Sequence, residues 1–226
     1  MVLVDPQREQ PEMGNAEIEE GAEKENVARV TRDEIRVAVR AGMPMSWTLE
    51  KPDQESLPEF SRVLAFLMDE LHRPDMKHSL VFGFHEMFTN AQKALAKRAF
   101  FVHKKLDIRN VEDYAHGMLS FKTEWLENVD QWNQEIFEQG LRVQVVFQWS
   151  NGVICVVVAN SGDLLPVEQI RINTQLTETL ATMKDEVLEG LDLAEGGGYG
   201  LRLIYSLLER MGCPSTAFQI MSQKDR

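Results

Sequence analysis

The chain is poor in cysteine, in positive charge and in long apolar runs, and each shortage excludes something. Two cysteines in 226 residues, Cys155 inside an apolar run and Cys213 near an expected helix end, form neither a disulfide framework nor a metal-ligand spacing. Packing roles in a reducing compartment follow. With 24 Lys and Arg against 36 Asp and Glu, the formal charge is −12. No net field gathers nucleic acid or an anionic membrane, so a polyanionic ligand has to be held by a local device. The longest apolar run, Val153–Ala159, is far short of the ~20 residues of a membrane span, and no basic leader with an apolar stretch opens the sequence. The expectation is a soluble, cytoplasmic protein with one substantial core and an appendage, binding neither nucleic acid nor membrane.

The appendage is residues 1–44. Residues 1–26 carry Asp5, Glu9, Glu12, Glu17, Glu19, Glu20, Glu23 and Glu25 with little to bury, the composition of a tail that is disordered alone. Thr31 and Glu34 then form a capping box and Val30 and Ile35 a hydrophobic staple, so a short helix is expected from near Arg32 to Gly42. Its apolar residues suit docking onto the main domain.

Residues 45–226 read as that domain. An extended piece through Trp47 precedes a helix with Phe60, Val63, Leu64, Leu67 and Leu71, closed by Pro74; a second helix covers about 76–101. Phe121, Trp125, Val129, Trp132 and Ile136 form an aromatic-rich stripe, for which core packing is the default, in a helical insert at about 100–140. Leu141–Trp149 alternates, Ser150-Asn151-Gly152 turns, and Val153–Ala159 returns as a strand expected to be buried on both faces. A polar helical stretch, a glycine cluster, a helix through Leu201, Ile204, Tyr205 and Leu208, and a final strand at 217–221 complete the reading. The class is α+β, a two-layer sandwich of a mixed sheet with helices on one face.

The second helix carries the chemistry. At about 100° per residue, Phe84, Phe88, Ala91 and Leu95 share one face, while Glu86, Asn90, Lys93 and Lys97 lie in a band nearly opposite. Alone, that band reads as a solvated face. Downstream, Asn160-Ser161-Gly162 ends the buried strand, and Gly196, Gly198 and Gly200 form a loop running into a helix. Glycine lets backbone amides approach phosphate closely, and the helix N-terminus adds attraction for an anion.

In this order the three segments resemble the GHKL superfamily of ATP-binding domains, which includes gyrase, heat-shock chaperones, mismatch-repair ATPases, sensor histidine kinases and anti-sigma-factor serine kinases. Residues His85 to Lys93 resemble its N box, Asn160 to Gly162 its G1 box, and Gly196, Gly198 and Gly200 its G2 glycines. The resemblance implies the Bergerat form of sandwich, with 166–195 as the ATP lid. It implies that Asn90 is the Mg²⁺ ligand, that Lys93 and the glycine loop hold phosphates, and that Glu86 is the catalytic group. Asn160 and Gly162 then stand at the adenine. Asn160 replaces the family's aspartate and still offers a side-chain acceptor without charge; Leu164 replaces the second G1 glycine. His72 resembles a phosphoacceptor box but lies too close to the N box, and reads as a helix-end residue.

The implied function is a signal-transduction protein kinase using ATP and Mg²⁺, resembling histidine kinases or anti-sigma-factor kinases. Its partners would be ATP and a protein acceptor or regulatory partner, with a homodimer left open. The alternative is a degenerate module of the same fold that binds a protein with or without nucleotide. A mechanical ATPase, needing a transducer domain beyond the last strand, ranks third.

Overall fold

The computed structural model describes residues 2–3, 30–52, 56–182 and 199–221. Most of the acidic tail, Gly196, Gly198 and the 183–195 part of the expected lid lie outside the described residues. Helix α1 (Arg32–Ala41) begins at a complete Thr31–Glu34 capping box and ends at Gly42, whose φ of 66° is the left-handed cap that glycine adopts without strain. Ile35 is fully buried against the neighbouring helix α2 (Ser56–Glu70), so the short helix docks in cis as its apolar side suggests. Arg36 reinforces the docking through Glu70 at 3.2 Å. His72, exposed and at φ 57°, terminates α2 and is a helix-end residue.

The sheet orders as β1 (Val2–Leu3), β4 (Val153–Asn160), β3 (Val143–Ser150) and β2 (Met45–Leu49). Asn151 and Gly152, both at positive φ, close the β3–β4 hairpin, the conformation whose twist matches the flanking strands. Every described pairing is antiparallel, which corrects the expected mixed sheet. The C-terminal strand expected at 217–221 is also absent. A 3₁₀ turn at Ser215–Ala217 follows Pro214, and Val2–Leu3 occupies the edge beside β4.

Val143, Val145, Phe147 and Trp149 point inward from β3, opposite Val158, Val156 and Ile154 of β4. The other face of β4, with Cys155, Val157 and Ala159, is only half-buried, so the strand is not buried on both faces as its uninterrupted apolar run suggests. Among the described residues, helices cover the inner face alone. Phe60 of α2, Phe84 and Phe88 of α3 (Lys77–His103), Phe147 and Trp47 interlock with ring centroids 5.2–6.0 Å apart. Each such pair contributes about 0.5–1.5 kcal/mol beyond its area burial, and together they fix the rotation of α3 about its axis.

The 100–140 insert is helical, but its aromatic stripe belongs to two helices, α4 (Val111–Glu127) and α5 (Val129–Glu138), broken at non-helical Asn128. The Glu124 carbonyl at the break accepts from both the Asn128 N–H, at 3.2 Å, and the Trp132 indole N–H, at 2.9 Å. Phe121, Trp125, Trp132 and Ile136 are all buried, which makes the stripe core. Helix α6 (Pro166–Thr182) follows the hairpin, and α7 (Tyr199–Arg210) packs on α3. The described protein is therefore α+β, with helices layered on one face of an antiparallel sheet. No described helix is long and apolar enough to cross a membrane.

Candidate functional site

Because the aromatic cluster turns Phe84, Phe88 and Leu95 toward the sheet, the opposite row of α3 lies beside α7 at Glu86 and meets the start of α6 at Lys97. Glu86, Lys93 and Lys97 are half-buried and Asn90 is exposed, so the row is not a uniformly solvated face.

Helix α7 runs antiparallel to α3. Ile204, Leu207, Leu208 and Met211 close against Ser79, Leu80 and Gly83, while Gly200, in the first turn of α7, reaches Glu86. A Cβ at Gly200 would overlap the Glu86 carboxylate. A side chain here would displace the acid, and the partial positive charge of the helix N-terminus suits it. Two residues singled out from separate motifs thus meet, and glycine is what permits the approach.

The C-terminal half of the row meets the hairpin's exit and α6. Ser161 continues the β3–β4 ladder, its N–H donating to the Arg142 carbonyl at 3.0 Å and its hydroxyl accepting from the Arg142 N–H at 2.9 Å. Asn160 pairs with Val143, on the helix-facing side of the sheet. A Cβ at Gly162 would overlap the Arg98 guanidinium, which lies across the loop and donates to the Asp163 carbonyl. Arg98 also reaches Glu168 at 3.3 Å, and Lys97 reaches the same carboxylate at 2.6 Å. All three side chains are only 12–13% exposed. Burial acts to raise the Glu168 carboxyl, but Lys97, Arg98 and the Leu165 N–H outweigh it and hold it below the ordinary carboxylate range. Neither Arg98 nor Glu168 belongs to the sequence-derived site. The available signal was Pro166 with an acid two residues on, a helix start. It announces a helix and not the cations the acid meets.

Two other polar residues of the 85–93 segment hold the fold together. The Ser61 hydroxyl donates to the Leu57 carbonyl at 2.7 Å, so its oxygen accepts the His85 Nε2 proton at 2.6 Å. Burial pushes the His85 pKa down and keeps the ring neutral. Gln92 is buried and donates to the Pro52 carbonyl, tying α3 to the loop before α2.

Among the described residues, no group of three or more His, Cys, Asp or Glu could hold a metal by itself. Asn90 and Glu86 offer hard oxygen donors on one helix row, a donor set that suits Mg²⁺ brought with a phosphate ligand, since that ion is usually held by few protein oxygens plus phosphates. The structure brings together Glu86 with Gly200 and Gly162 with the Lys97–Arg98 end of the row. Gly196 and Gly198 lie outside the described residues.

No protein-family model matches the chain, and no solved structure matches it. It is similar to an uncharacterized protein of Treponema pallidum (strain Nichols), 28% identical over 199 residues, covering 87% of this chain and 39% of that protein. The chain thus spans well under half the length of that relative.

Proposed function

We propose that the row Glu86–Asn90–Lys93 on α3, with the N-terminus of α7 beside it, is the nucleotide site of a GHKL-type domain of Bergerat form, and that the protein is a cytoplasmic ATP-dependent protein kinase of signal transduction. The observation that carries this reading is Gly200 resting on Glu86, the N-box acid and a G2 glycine meeting across 114 positions of sequence. The antiparallel hairpin placing Asn160 on the helix-facing side supports it.

In this reading Asn90 offers its side-chain oxygen to Mg²⁺, Lys93 offers charge to the phosphates, and Asn160 accepts from the adenine amino group. When bound, the ion neutralises charge on the phosphate oxygens. Glu86 orients a hydroxyl or imidazole of the partner protein and takes its proton as the acceptor attacks the γ-phosphorus. The bond from that phosphorus to the bridging oxygen breaks, and ADP leaves. The second reading, a module that binds a protein without turning over nucleotide, is favoured by Asn160 in place of an aspartate and by the exposed Val111 and Leu119 of α4.

Glu86→Gln separates them. It preserves shape and removes the base, so ATP binding is retained while transfer to candidate partners or hydrolysis falls by ~100-fold or more. Turnover that survives the change removes Glu86 from the mechanism. Reproducible ATP binding by the wild type with no transfer or hydrolysis across partners establishes the binding module.

A further inference from the structure

The contact of Lys97 and Arg98 with Glu168 has a consequence for ligand entry. Lys97 lies one helical turn beyond Lys93, on the row that carries Glu86 and Asn90. In this structure its ammonium is turned onto an acid 71 positions away, at the start of α6. Glu168 accepts from Lys97, Arg98 and the Leu165 N–H together, so the first turn of α6 is fastened to α3 by a carboxylate with almost no solvent around it. A carboxylate and a phosphate oxygen ask the same of an ammonium group, a charge-assisted N–H donor.

We propose that Glu168 is an internal competitor of the nucleotide's phosphates: its ion pairs with Lys97 and Arg98 latch α6 to the end of the α3 row, and a phosphate-bearing ligand that takes over Lys97 removes the shorter of the two and loosens the latch. This rests on the reading of the α3 row as a nucleotide site and adds a regulator to it. With the latch shut, the nearest cation past Lys93 is neutralised, and an incoming phosphate also meets the negative charge of Glu168. The binding-competent form is then the unlatched fraction, and the observed dissociation constant exceeds the intrinsic one by the inverse of that fraction. Arg98 divides its contacts between Glu168 and the Asp163 carbonyl at the Gly162 loop, so opening α6 leaves the loop held. The Gly162 loop therefore keeps its Arg98 contact when Lys97 changes partner.

Glu168→Gln is the decisive variant, because the amide oxygen still accepts from the Leu165 N–H while the charge is gone. ATP with Mg²⁺ and adenosine are titrated against the full chain by calorimetry. If the latched form holds about 70–90% of the molecules, Glu168→Gln tightens ATP binding roughly threefold to tenfold and leaves adenosine, which has no phosphate, unchanged. Added to Glu168→Gln, where no latch remains, Lys97→Gln weakens ATP and leaves adenosine unchanged. An unaltered or weaker ATP affinity in Glu168→Gln overturns the latch, as does an equal gain for ATP and adenosine, which marks a general loosening. Unchanged ATP affinity when Lys97→Gln is added to Glu168→Gln overturns the role of Lys97 separately. Should wild type and both variants fail to bind either ligand, the nucleotide reading itself falls and the latch with it.

Discussion

Replacing Gly200 by alanine tests the meeting of the two motifs without any ligand. At a helix position the change from Gly to Ala is worth up to about 1 kcal/mol of stability. Here the new Cβ falls on the Glu86 carboxylate. That group is the far end of a flexible side chain, so it rotates away instead of pushing α7 off α3. The loss is its interaction with the helix N-terminus, about 0.3–1 kcal/mol, together with some rotamer freedom. Gain and loss then nearly cancel in Gly200→Ala alone. In a Glu86→Ala background nothing remains to displace, and the same glycine change stabilises by its full ~1 kcal/mol. A double-mutant cycle by urea denaturation, with a common m value, therefore gives a coupling of about 0.5–1 kcal/mol. Additivity within ~0.3 kcal/mol would refute the contact between Gly200 and Glu86. If Glu86 also does chemistry, Gly200→Ala lowers turnover by as much as ~100-fold, the scale for a catalytic group moved by about 1 Å, while the unfolding midpoint barely changes.

Two further outcomes concern the scaffold. A Cβ at Gly117 of α4 would lie 2.6 Å from Phe101 Cζ, and that ring is 1% exposed and cannot retreat; Gly117→Ala destabilises by about 1–2 kcal/mol in urea denaturation, overpacking exceeding the helix-propensity gain, and no loss would mean that α4 does not close on Phe101. The His85 pKa is lowered in the folded protein, so the unfolded chain binds its proton first as pH falls below about 6.5. Stability present above that pH is lost on the way down toward the folded pKa. Thermal melts from pH 7.5 to 5.5 therefore fall less steeply in His85→Gln than in the wild type, and parallel curves would contradict the buried neutral ring.

Local signals carried much of the fold. Thr31, Glu34 and Gly42 bound α1 because capping is a property of a few adjacent residues, and Asn151-Gly152 marks the hairpin for the same reason. The two faces of α3 were legible because Phe84, Phe88 and Leu95 recur at helical spacing, and burial follows that spacing closely. Asn128 was missed because its break is one residue long and the apolar spacing of Trp125, Val129 and Trp132 continues across it. The 217–221 strand failed because sheet membership depends on which segment reaches the edge of β4, and alternation alone does not say. The polar row on α3 was legible from helical spacing, and Gly162 and Gly200, which Arg98 and Glu86 approach closely, stood out as glycines of two separate segments. The occupation of Lys97 by Glu168 was not legible, since a pairing across 71 residues leaves no local pattern.

The central claim, a nucleotide site on the α3 row, is tested most directly by equilibrium binding of ATP to wild type and Asn90→Ala, each with and without Mg²⁺. Asn90 is exposed and makes no described packing contact in the core, so its truncation leaves the fold intact. The account predicts that the wild type binds ATP more tightly when Mg²⁺ is present, and that Asn90→Ala loses most of this metal-dependent increment, about 1.4 kcal/mol for each tenfold in affinity, with an unchanged melting temperature in the absence of ligand. Wild-type protein that binds no ATP at millimolar concentration, or a Mg²⁺ effect of equal size in Asn90→Ala, would contradict it.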